Sequence, residues 1–337
     1  MNNGERPSQL AVLRVDLALS RLAVTMAIPR TRATLLPLAL VLVWLASAPS
    51  AAAAEGPGYV TIMFGRTLWA AAASCSPLSG AVDLGRIAQA LAARGLVATG
   101  NVVTNWTQPT GFRCFATVLQ PGWDRLAMLR DTFGWTFVSA GRSHRDLTKL
   151  TPSEQVSESC GSLGPLYDHG HDRAWGLFAY PKNRSTTSLQ AEIVSTCFAY
   201  GRRYAPTTND RSAMAFPWFQ KTHSLDGGAC NDPALSCWNV AAPKHYESPV
   251  AVRELFAVPA DHWYTVQFYQ LVEGRLGTVG GTSSQRWDCT SADWHQHWTS
   301  RSELYCFADF LAALDGIPPG VVVTDPASVA EAWGRVV

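Results

Sequence analysis

The sequence predicts an α/β fold in which strands and helices alternate around a parallel sheet or barrel. Short apolar segments typical of buried strands recur between segments whose apolar residues follow helical spacing. Such alternation is typical of βαβ units, which place parallel strands side by side. The chain has 337 residues, of which 47% are hydrophobic, so it is long enough to bury a sizeable core.

The first part of the predicted domain contains three strands and two helices. In chain order these are a strand at 59–64, a helix at 83–94 ending at Gly95, a strand at 96–104, a helix at 123–132 ending at Gly134, and a strand at 135–139. Glycine is favoured just after a helix because it readily adopts the left-handed backbone. The sequence Thr151-Pro152-Ser153-Glu154 has the pattern of a capping box with proline at the first helical position, and it predicts that a helix begins there.

The second part continues the alternation around one irregular segment. Residues 205–258 are rich in Pro, Asn, Ser and Gly and contain Cys230 and Cys237, so we interpret them as a disulfide-clipped insertion over one face. The predicted elements on either side are a strand at 174–180, a helix at 187–196, a short strand at 197–200, a strand at 262–271, a helix from about 300 to 314, a strand at 321–324 and a helix from Asp325-Pro326 to Trp333.

The N-terminus has the pattern of a secretory signal peptide over residues 1–54. Arg30 and Arg32 precede an apolar run at 35–45, and small residues follow as far as Ala54. The run is shorter than the roughly 20 residues of a membrane-spanning helix, although an uncleaved anchor remains the alternative. Met26 would start a signal of ordinary length, which indicates that 1–25 are an over-called start. We therefore expect a secreted or cell-envelope protein with one domain at 55–337 and no stable membrane span.

All eight cysteines follow this signal segment, and an even number in an exported chain predicts disulfides. No C-x-x-C pair occurs, so a zinc ribbon or a thioredoxin-type site has no support. Many pairings are open, and closeness along the chain favours nearest neighbours. These pairs are Cys75 with Cys114, Cys160 with Cys197, Cys230 with Cys237, and Cys289 with Cys306.

The charge distribution excludes one large class of partner. The formal net charge is +1 and no run of Lys or Arg occurs, whereas a nucleic-acid-binding protein needs a basic face to neutralise phosphates. Thirteen Trp residues also argue against intrinsic disorder, because a disordered chain has few aromatic side chains to bury. We expect a monomer with no nucleic-acid partner.

Several segments resemble the motifs of the NodB-homology polysaccharide deacetylases, carbohydrate esterase family 4. In FVSAGRSHRDLTKL, His144, Asp146, Leu147 and Thr148 match the second half of the family's second motif, H-[ST]-x-x-H-x-x-L-[ST]. YVTIMFGRT is similar to the first motif, DRAWGLFAYPKN to the third, and HWYTVQFYQLVEG to the strand carrying a late histidine. The resemblance covers about 59–335 outside the insertion. It implies a distorted (β/α) barrel of the glycoside hydrolase/deacetylase type.

The resemblance also implies a chemistry. In that family one Asp and two His hold a divalent metal, usually zinc, which polarises an acetamide carbonyl and activates water. A second Asp acts as general base, and the late His protonates the leaving amine. The implied activity is hydrolysis of carbon–nitrogen bonds other than peptide bonds. The implied cofactor is zinc, and the implied partner is an N-acetylated polysaccharide such as peptidoglycan or chitin.

This sequence departs from the family at the metal-binding positions. Gly65 and Arg66 align with the two aspartates, and Ala140 aligns with the first metal histidine. His144 alone remains as a candidate metal ligand, and one imidazole does not hold zinc against water. Arg66 would repel a divalent cation, but a guanidinium at that position could polarise a carbonyl or bind a carboxylate.

The remaining motif positions are also altered. The third-motif arginine aligns with Ala179, although Pro181 is kept, and the late histidine aligns with Tyr269. We take Arg66 and Tyr269 as candidate catalytic residues and Tyr180 as a candidate substrate-binding residue.

Five further groups of residues have a functional interpretation beside a structural one. His169 with His171, and His295 with His297, are H-x-H pairs that suit metal binding on a strand but also suit polar turns. Trp294 and Trp298 lie in a polar segment and could stack on sugar rings, whereas most Trp side chains belong to the core. Arg202-Arg203-Tyr204 follows a predicted strand, where either ligand-binding residues or a solvated turn is expected. Ser143, His144 and Asp146 are neighbours in sequence, which rarely gives triad geometry.

Two functional hypotheses therefore stay open. The first is a secreted deacetylase-like protein that hydrolyses acetamide bonds of a cell-envelope glycan at a remodelled site. The second is a catalytically inactive glycan-binding or envelope-interaction protein on the same fold. A purely structural secreted protein is a third alternative.

Overall fold

The computed structural model describes residues 56–65, 69–70, 81–115, 118–183, 194–204, 209–212, 220–224, 249–268, 270–273, 275–276, 287–289 and 304–335. All of them belong to one compact unit, 54–337. The described strands are β1 Gly58–Phe64, β2 Trp69–Ala70, β3 Thr99–Val102, β4 Phe112–Phe115, β5 Val118–Pro121, β6 Thr136–Ser139, β7 Phe178–Ala179, β8 Gly201–Tyr204, β9 Asn209–Asp210, β10 Gln220–Ser224, β11 His262–Phe268, β12 Gln270–Val272, β13 Arg275–Leu276, β14 Trp287–Asp288, β15 Leu304–Cys306 and β16 Val321–Val323. The described helices are α1 Leu84–Ala92, α2 Trp123–Phe133, α3 Pro152–Glu158, α4 Leu163–Asp168, α5 Pro249–Leu255, α6 Phe307–Leu314 and α7 Pro326–Ala332.

The central sheet closes into a barrel of parallel strands. Following the order β1, β3, β6, β7, β8, β10, β11, each strand pairs in parallel with the next, and β11 pairs with β1 from Tyr59↔Trp263 to Phe64↔Phe268. β16 pairs with the first residues of β1, whereas β3 pairs only with its last two. This uneven pairing distorts the barrel, and the predicted distorted (β/α) barrel is confirmed.

Helix boundaries agree with the local sequence signals. Thr151 and Glu154 form the predicted capping box at the start of α3. Gly134 ends α2 in the left-handed conformation, with φ of 70°. Asp325 caps α7 by accepting hydrogen bonds from two backbone N–H groups. These signals act within one helical turn, so they are independent of the rest of the fold.

Two strands differ from the prediction because their positions depend on distant pairing partners. The predicted strand at 174–180 is a 3₁₀ turn, Ala174–Gly176, followed by the two-residue β7. The strand expected at 197–200 is β8, at Gly201–Tyr204. Apolar residues fill both segments, so their composition does not fix where pairing begins. Most of the helix predicted at 187–196 lies outside the described residues.

Two other segments contain elements that the sequence did not predict. The interval 205–258, interpreted as an insertion, contributes the barrel strand β10 and helix α5. The β10 sequence, QKTHS, has no apolar alternation from which a strand could be recognised. The helix expected from about Ser300 begins at Phe307, because Leu304–Cys306 instead pairs in parallel with β12.

The barrel interior changes from aromatic to polar along the strands. At the amino-terminal end, the ring of Trp263 packs against Tyr200 and Trp333, with ring centroids 4.9 Å and 6.1 Å away. Further along, the register places polar side chains on the inner face. They include Thr61, Thr99, Asn101, Thr265 and Gln267, all buried. These aromatic side chains fill the amino-terminal end of the barrel, whereas the sites of such folds usually lie at the carboxyl end of the strands.

Two disulfides join parts of the fold that are separate in sequence. Cys160, after α3, is bonded to Cys197, and Cys289 is bonded to Cys306 at the end of β15. Both bonds join cysteines that are nearest neighbours along the chain. Of the other four cysteines, Cys114 lies in β4, and Cys75, Cys230 and Cys237 lie outside the described residues. Within the described ranges, no helix combines the length and the apolar character needed to cross a membrane.

Candidate functional site

The segment that follows β6 lies at the carboxyl end of the barrel. Its first residue, Ala140, donates its N–H to the carbonyl of Val102 at the end of β3. Glu158, only 4% exposed, fixes the next residues, because its Oε1 accepts the N–H groups of Ser143 at 2.7 Å and Arg145 at 3.1 Å. The segment is therefore fixed by hydrogen bonds to the end of β3 and to Glu158 of α3.

His144 lies at the tip of this segment. Its φ of 58° is in the left-handed region, which a non-glycine residue adopts only where its surroundings hold it. The ring is half-buried and lies 5.5 Å from the ring of Trp106, which follows β3. The sequence analysis selected His144 as a candidate site residue but did not select Trp106. Its position directly after a predicted strand was the available signal.

The serine and aspartate beside His144 have other partners. The Ser143 hydroxyl accepts a hydrogen bond from the Asn105 amide at 3.1 Å. Asp146 is buried, and its carboxylate accepts the N–H of Thr148 at 3.1 Å, which caps a short 3₁₀ turn. These hydrogen bonds give both side chains structural roles in this segment.

An apolar floor lies at the carboxyl end of the barrel, near His144. Val103, Ala140 and Ala179 form one small buried cluster, and Trp106 packs against it. Ala140 and Ala179 occupy the positions where the resemblance implies a metal histidine and an arginine. Neither the methyl group of Ala140 nor the hydrogen of Gly65 binds a metal. Of these three positions, only His144 has a metal-binding side chain, so the described residues do not fit a zinc site. In the described part of the chain, no group of three or more His, Cys, Asp or Glu side chains could hold a metal ion.

For Arg202, the sequence left two interpretations open: a ligand-binding residue or a residue of a solvated turn. Arg202 lies on β8 directly opposite Ala179 of β7, and it is only 5% exposed. Because paired residues point to the same face of a sheet, its side chain is on the inner face with Ala179. Arg202 therefore does not belong to a solvated turn, because its side chain is buried on the inner face of the barrel.

The other candidate residues do not converge on His144 within the described residues. Tyr180 is 2% exposed and packs against Phe178 in the main core, with ring centroids 5.3 Å apart. Its alternation with Ala179 places it on the outer face of the barrel. The candidates outside the described residues are Arg66, Tyr269, Trp294, Trp298, His295 and His297.

His169 and His171 have structural positions, and metal binding by this pair has no support. The His169 ring stacks on Trp123 at 4.1 Å, and its Nδ1 donates to the carbonyl of Pro165 at 2.7 Å. His171 is 3% exposed, packs against Phe137 at 4.9 Å, and has no hydrogen-bond partner at either nitrogen. Burial lowers the pKa of His171 to about 4, assisted by the positive charge of Arg130.

Replacing His171 with Phe is expected to remove an acid-sensitive step in stability. The unfolded chain takes up a proton near pH 6.5, whereas the folded chain does so only near pH 4, so stability falls as pH falls through this interval. Between pH 7 and pH 5 the wild-type chain should lose about 2 kcal/mol from this group. Urea unfolding at both pH values measures the loss. His169→Phe is the matched control and should retain the loss, and an equal loss in His171→Phe would refute the assignment.

Comparison with known proteins gives similarity in structure only. No family model matches the sequence, and no curated protein matches it. Among solved structures, the chain is similar to the deacetylase PplD from Streptococcus pyogenes in complex with acetate. The two are 17% identical, the match covers 48% of this chain and 62% of that one, and the TM-score is 0.37.

Two further solved structures are similar to this chain. The chitin deacetylase from the fungal pathogen Colletotrichum lindemuthianum is 13% identical, with 83% of this chain and 89% of that chain covered and a TM-score of 0.39. BC0361, a polysaccharide deacetylase from Bacillus cereus, is 13% identical, with a TM-score of 0.33. That match covers 44% of this chain and only 40% of the other. At these values the similarity says nothing about the activity of this chain.

Proposed function

We propose that this protein is a secreted glycan-binding protein that takes an N-acetylated polysaccharide at the carboxyl end of its barrel, without the zinc-dependent hydrolysis of the deacetylases it resembles. The observation that carries the proposal is the apolar floor of Val103, Ala140 and Ala179, against which Trp106, the ring neighbour of His144, packs. At these positions the deacetylase motifs require a metal ligand and a cation. The barrel mouth thus keeps the framework of the site and replaces its chemical groups.

The surroundings of the floor support binding of a sugar. The Trp106 ring is partly buried against the floor and adjoins the imidazole of His144. A pyranose has one apolar face and hydroxyl groups at its edges, and an aromatic ring beside hydrogen-bonding side chains is complementary to both. Trp294 and Trp298, in a polar segment of the sequence, are proposed as an additional stacking platform.

Secretion is part of the same proposal. The signal-peptide pattern of residues 1–54 supports it, and so do the bonds Cys160–Cys197 and Cys289–Cys306. Disulfides persist in oxidising compartments outside the cytosol. An insoluble cell-envelope glycan such as peptidoglycan or chitin would meet the protein there.

Hydrolysis of the acetamide bond is the second candidate, and the position of His144 at the barrel mouth favours it. In this case water adds to the acetamide carbonyl, the carbon–nitrogen bond breaks, and the products are acetate and a free amine. His144 would transfer a proton, Arg66 would stabilise the developing oxyanion, and Tyr269 would donate a proton to the leaving amine.

Retention on insoluble polysaccharides tests the proposal. The purified chain is expected to bind chitin or peptidoglycan but not cellulose, which lacks the N-acetyl group, and to release no acetate above the buffer level. A variant with Trp294→Ala and Trp298→Ala should be retained less, provided that its thermal unfolding is unchanged. Acetate release would favour the second candidate, and absence of retention on both glycans would refute binding.

A further inference from the structure

A polar cleft lies beside His144, at the segment that follows β6. It has a volume of about 240 Å³, and its lining consists entirely of polar side chains from three places in the chain. Asn105 follows β3, Ser143 and Arg145 flank His144 after β6, and Glu154 and Glu158 come from α3. The cleft is thus built by the same segments that position His144 and Trp106.

The geometry of the cleft is fixed by buried groups beneath it. The Glu158 carboxylate accepts two N–H groups of the segment at 143–145, and the Arg142 backbone is held by hydrogen bonds to Glu158 and Asn105. The Nη1 of Arg142 donates to Ser157, whereas its buried Nε has no hydrogen-bond partner. The walls are therefore preformed, so a ligand would not have to order them on binding.

The chemistry of the lining favours a neutral ligand with many hydroxyl groups. Two arginines, Arg142 and Arg145, face two glutamates, Glu154 and Glu158, so their formal charges balance. The lining contains both donors and acceptors. The Asn105 amide donates to the Ser143 hydroxyl, and Arg145 is paired with Glu154 at 3.2 Å. An ion of either sign would meet a like charge, whereas sugar hydroxyls can both donate and accept.

The size of the cleft and its neighbours indicate one sugar ring. Pockets for drug-sized ligands are larger, roughly 300–1,000 Å³. Trp106 follows Asn105 in sequence, and its ring lies 5.5 Å from that of His144. In the sequence, His144 lies between Ser143 and Arg145, which both line the cleft. Trp106 packs against the apolar floor and contacts His144, so an aromatic ring lies close to both the floor and the residues that line the cleft.

We propose that this cleft is a second sugar subsite, which binds an uncharged hexopyranose unit adjacent to the unit held at the barrel mouth. The inference rests on the proposed glycan-binding function. It adds that particular residues of the cleft make the protein bind longer oligosaccharides more tightly than short ones. Asn105 and Arg145 would supply the hydrogen bonds that are exposed enough to reach a sugar. Glu158 would act only by positioning the segment that carries Arg145.

Titration calorimetry with oligomers of N-acetylglucosamine tests the subsite. The full chain should bind the tetrasaccharide more tightly than the disaccharide. Asn105→Ala and Arg145→Ala should each weaken tetrasaccharide binding on the order of tenfold, equivalent to one or two lost hydrogen bonds. Disaccharide binding at the mouth should change much less. Arg211→Ala is the matched control. Arg211 is about as exposed as Arg145, and it forms a surface ion pair with Asp261, which directly precedes β11.

The outcomes separate the subsite from the proposed function. If the wild-type chain binds the tetrasaccharide and both cleft variants bind it as tightly as Arg211→Ala does, the subsite is overturned and glycan binding stands. If the wild-type chain binds neither oligosaccharide, both are overturned. Equal loss of disaccharide and tetrasaccharide binding in the cleft variants would also overturn the subsite, because it would place these residues at the mouth itself.

Discussion

Replacing Arg66 with Asp and Ala140 with His is expected to give this chain a zinc site at His144, where the described residues of the wild-type chain form none. The double substitution would add a carboxylate and an imidazole to His144, which already lies at the barrel mouth. Three protein ligands with one open position are typical of catalytic zinc sites. We expect zinc affinity to increase on the order of a hundredfold or more, measured by competition with a chelating dye at pH 7.5.

Matched variants show whether the gain comes from this constellation. Ala140→His alone should gain little, because it leaves the Arg66 cation in place and supplies no carboxylate. Adding His144→Ala to the double variant should abolish the gain. If the double variant folds, as judged by its thermal unfolding, but binds zinc no better than the wild-type chain, the alignment of these positions with the deacetylase motifs is wrong.

Removing the Cys160–Cys197 disulfide is expected to cause the largest loss of stability. The bond closes a sequence separation of 37 residues that includes β7, and it links the end of α3 to the residues before β8. In the loop-entropy description, such a crosslink stabilises the fold by roughly 4 kcal/mol. The variant with Cys160→Ser and Cys197→Ser should therefore show a correspondingly lower free energy of unfolding in urea.

The second described disulfide provides the comparison. Cys289 and Cys306 are separated by 17 residues, so their removal is expected to cost roughly 3 kcal/mol, slightly less than the first pair. When the disulfides of the wild-type chain are reduced before unfolding, its free energy of unfolding should no longer exceed that of either variant measured under the same reducing conditions. A change below 1 kcal/mol for the Cys160 and Cys197 variant would contradict the assigned role of this bond.

The parts of the fold that were predictable from sequence are those with local causes. The capping box of Thr151 and Glu154, the glycine stop at Gly134 and the cap at Asp325 each depend on neighbouring residues, and each lies where it was expected. The apolar run of β1 also identified a buried strand correctly. Alternation of such elements was enough to predict the class of fold.

The parts that were not predictable depend on contacts between distant residues. β10 is polar in sequence and is a strand because β8 and β11 pair with it on either side. β8 begins at Gly201 because its hydrogen bonds are set by the neighbouring strand β7, a partner more than twenty residues away. Periodicity within a segment contains no information about these partners.

The candidate site shows the same division. The sequence was enough to place His144 after a strand, and the absence of metal-binding side chains at Gly65 and Ala140 is visible in the sequence itself. The packing of Ala140 with Ala179, and the burial of Arg202 opposite Ala179, follow from strand register. Register is a property of the closed barrel, which a single sequence does not reveal.

Retention of the wild-type chain on insoluble chitin or peptidoglycan, with and without a chelator, tests the central claim most directly. The claim is that the barrel mouth binds an N-acetylated glycan through its aromatic and polar side chains and needs no metal. The bound fraction should therefore be the same in EDTA as in buffer with added zinc. Loss of retention in EDTA that is restored by zinc would contradict the claim, as would a failure to bind either polysaccharide.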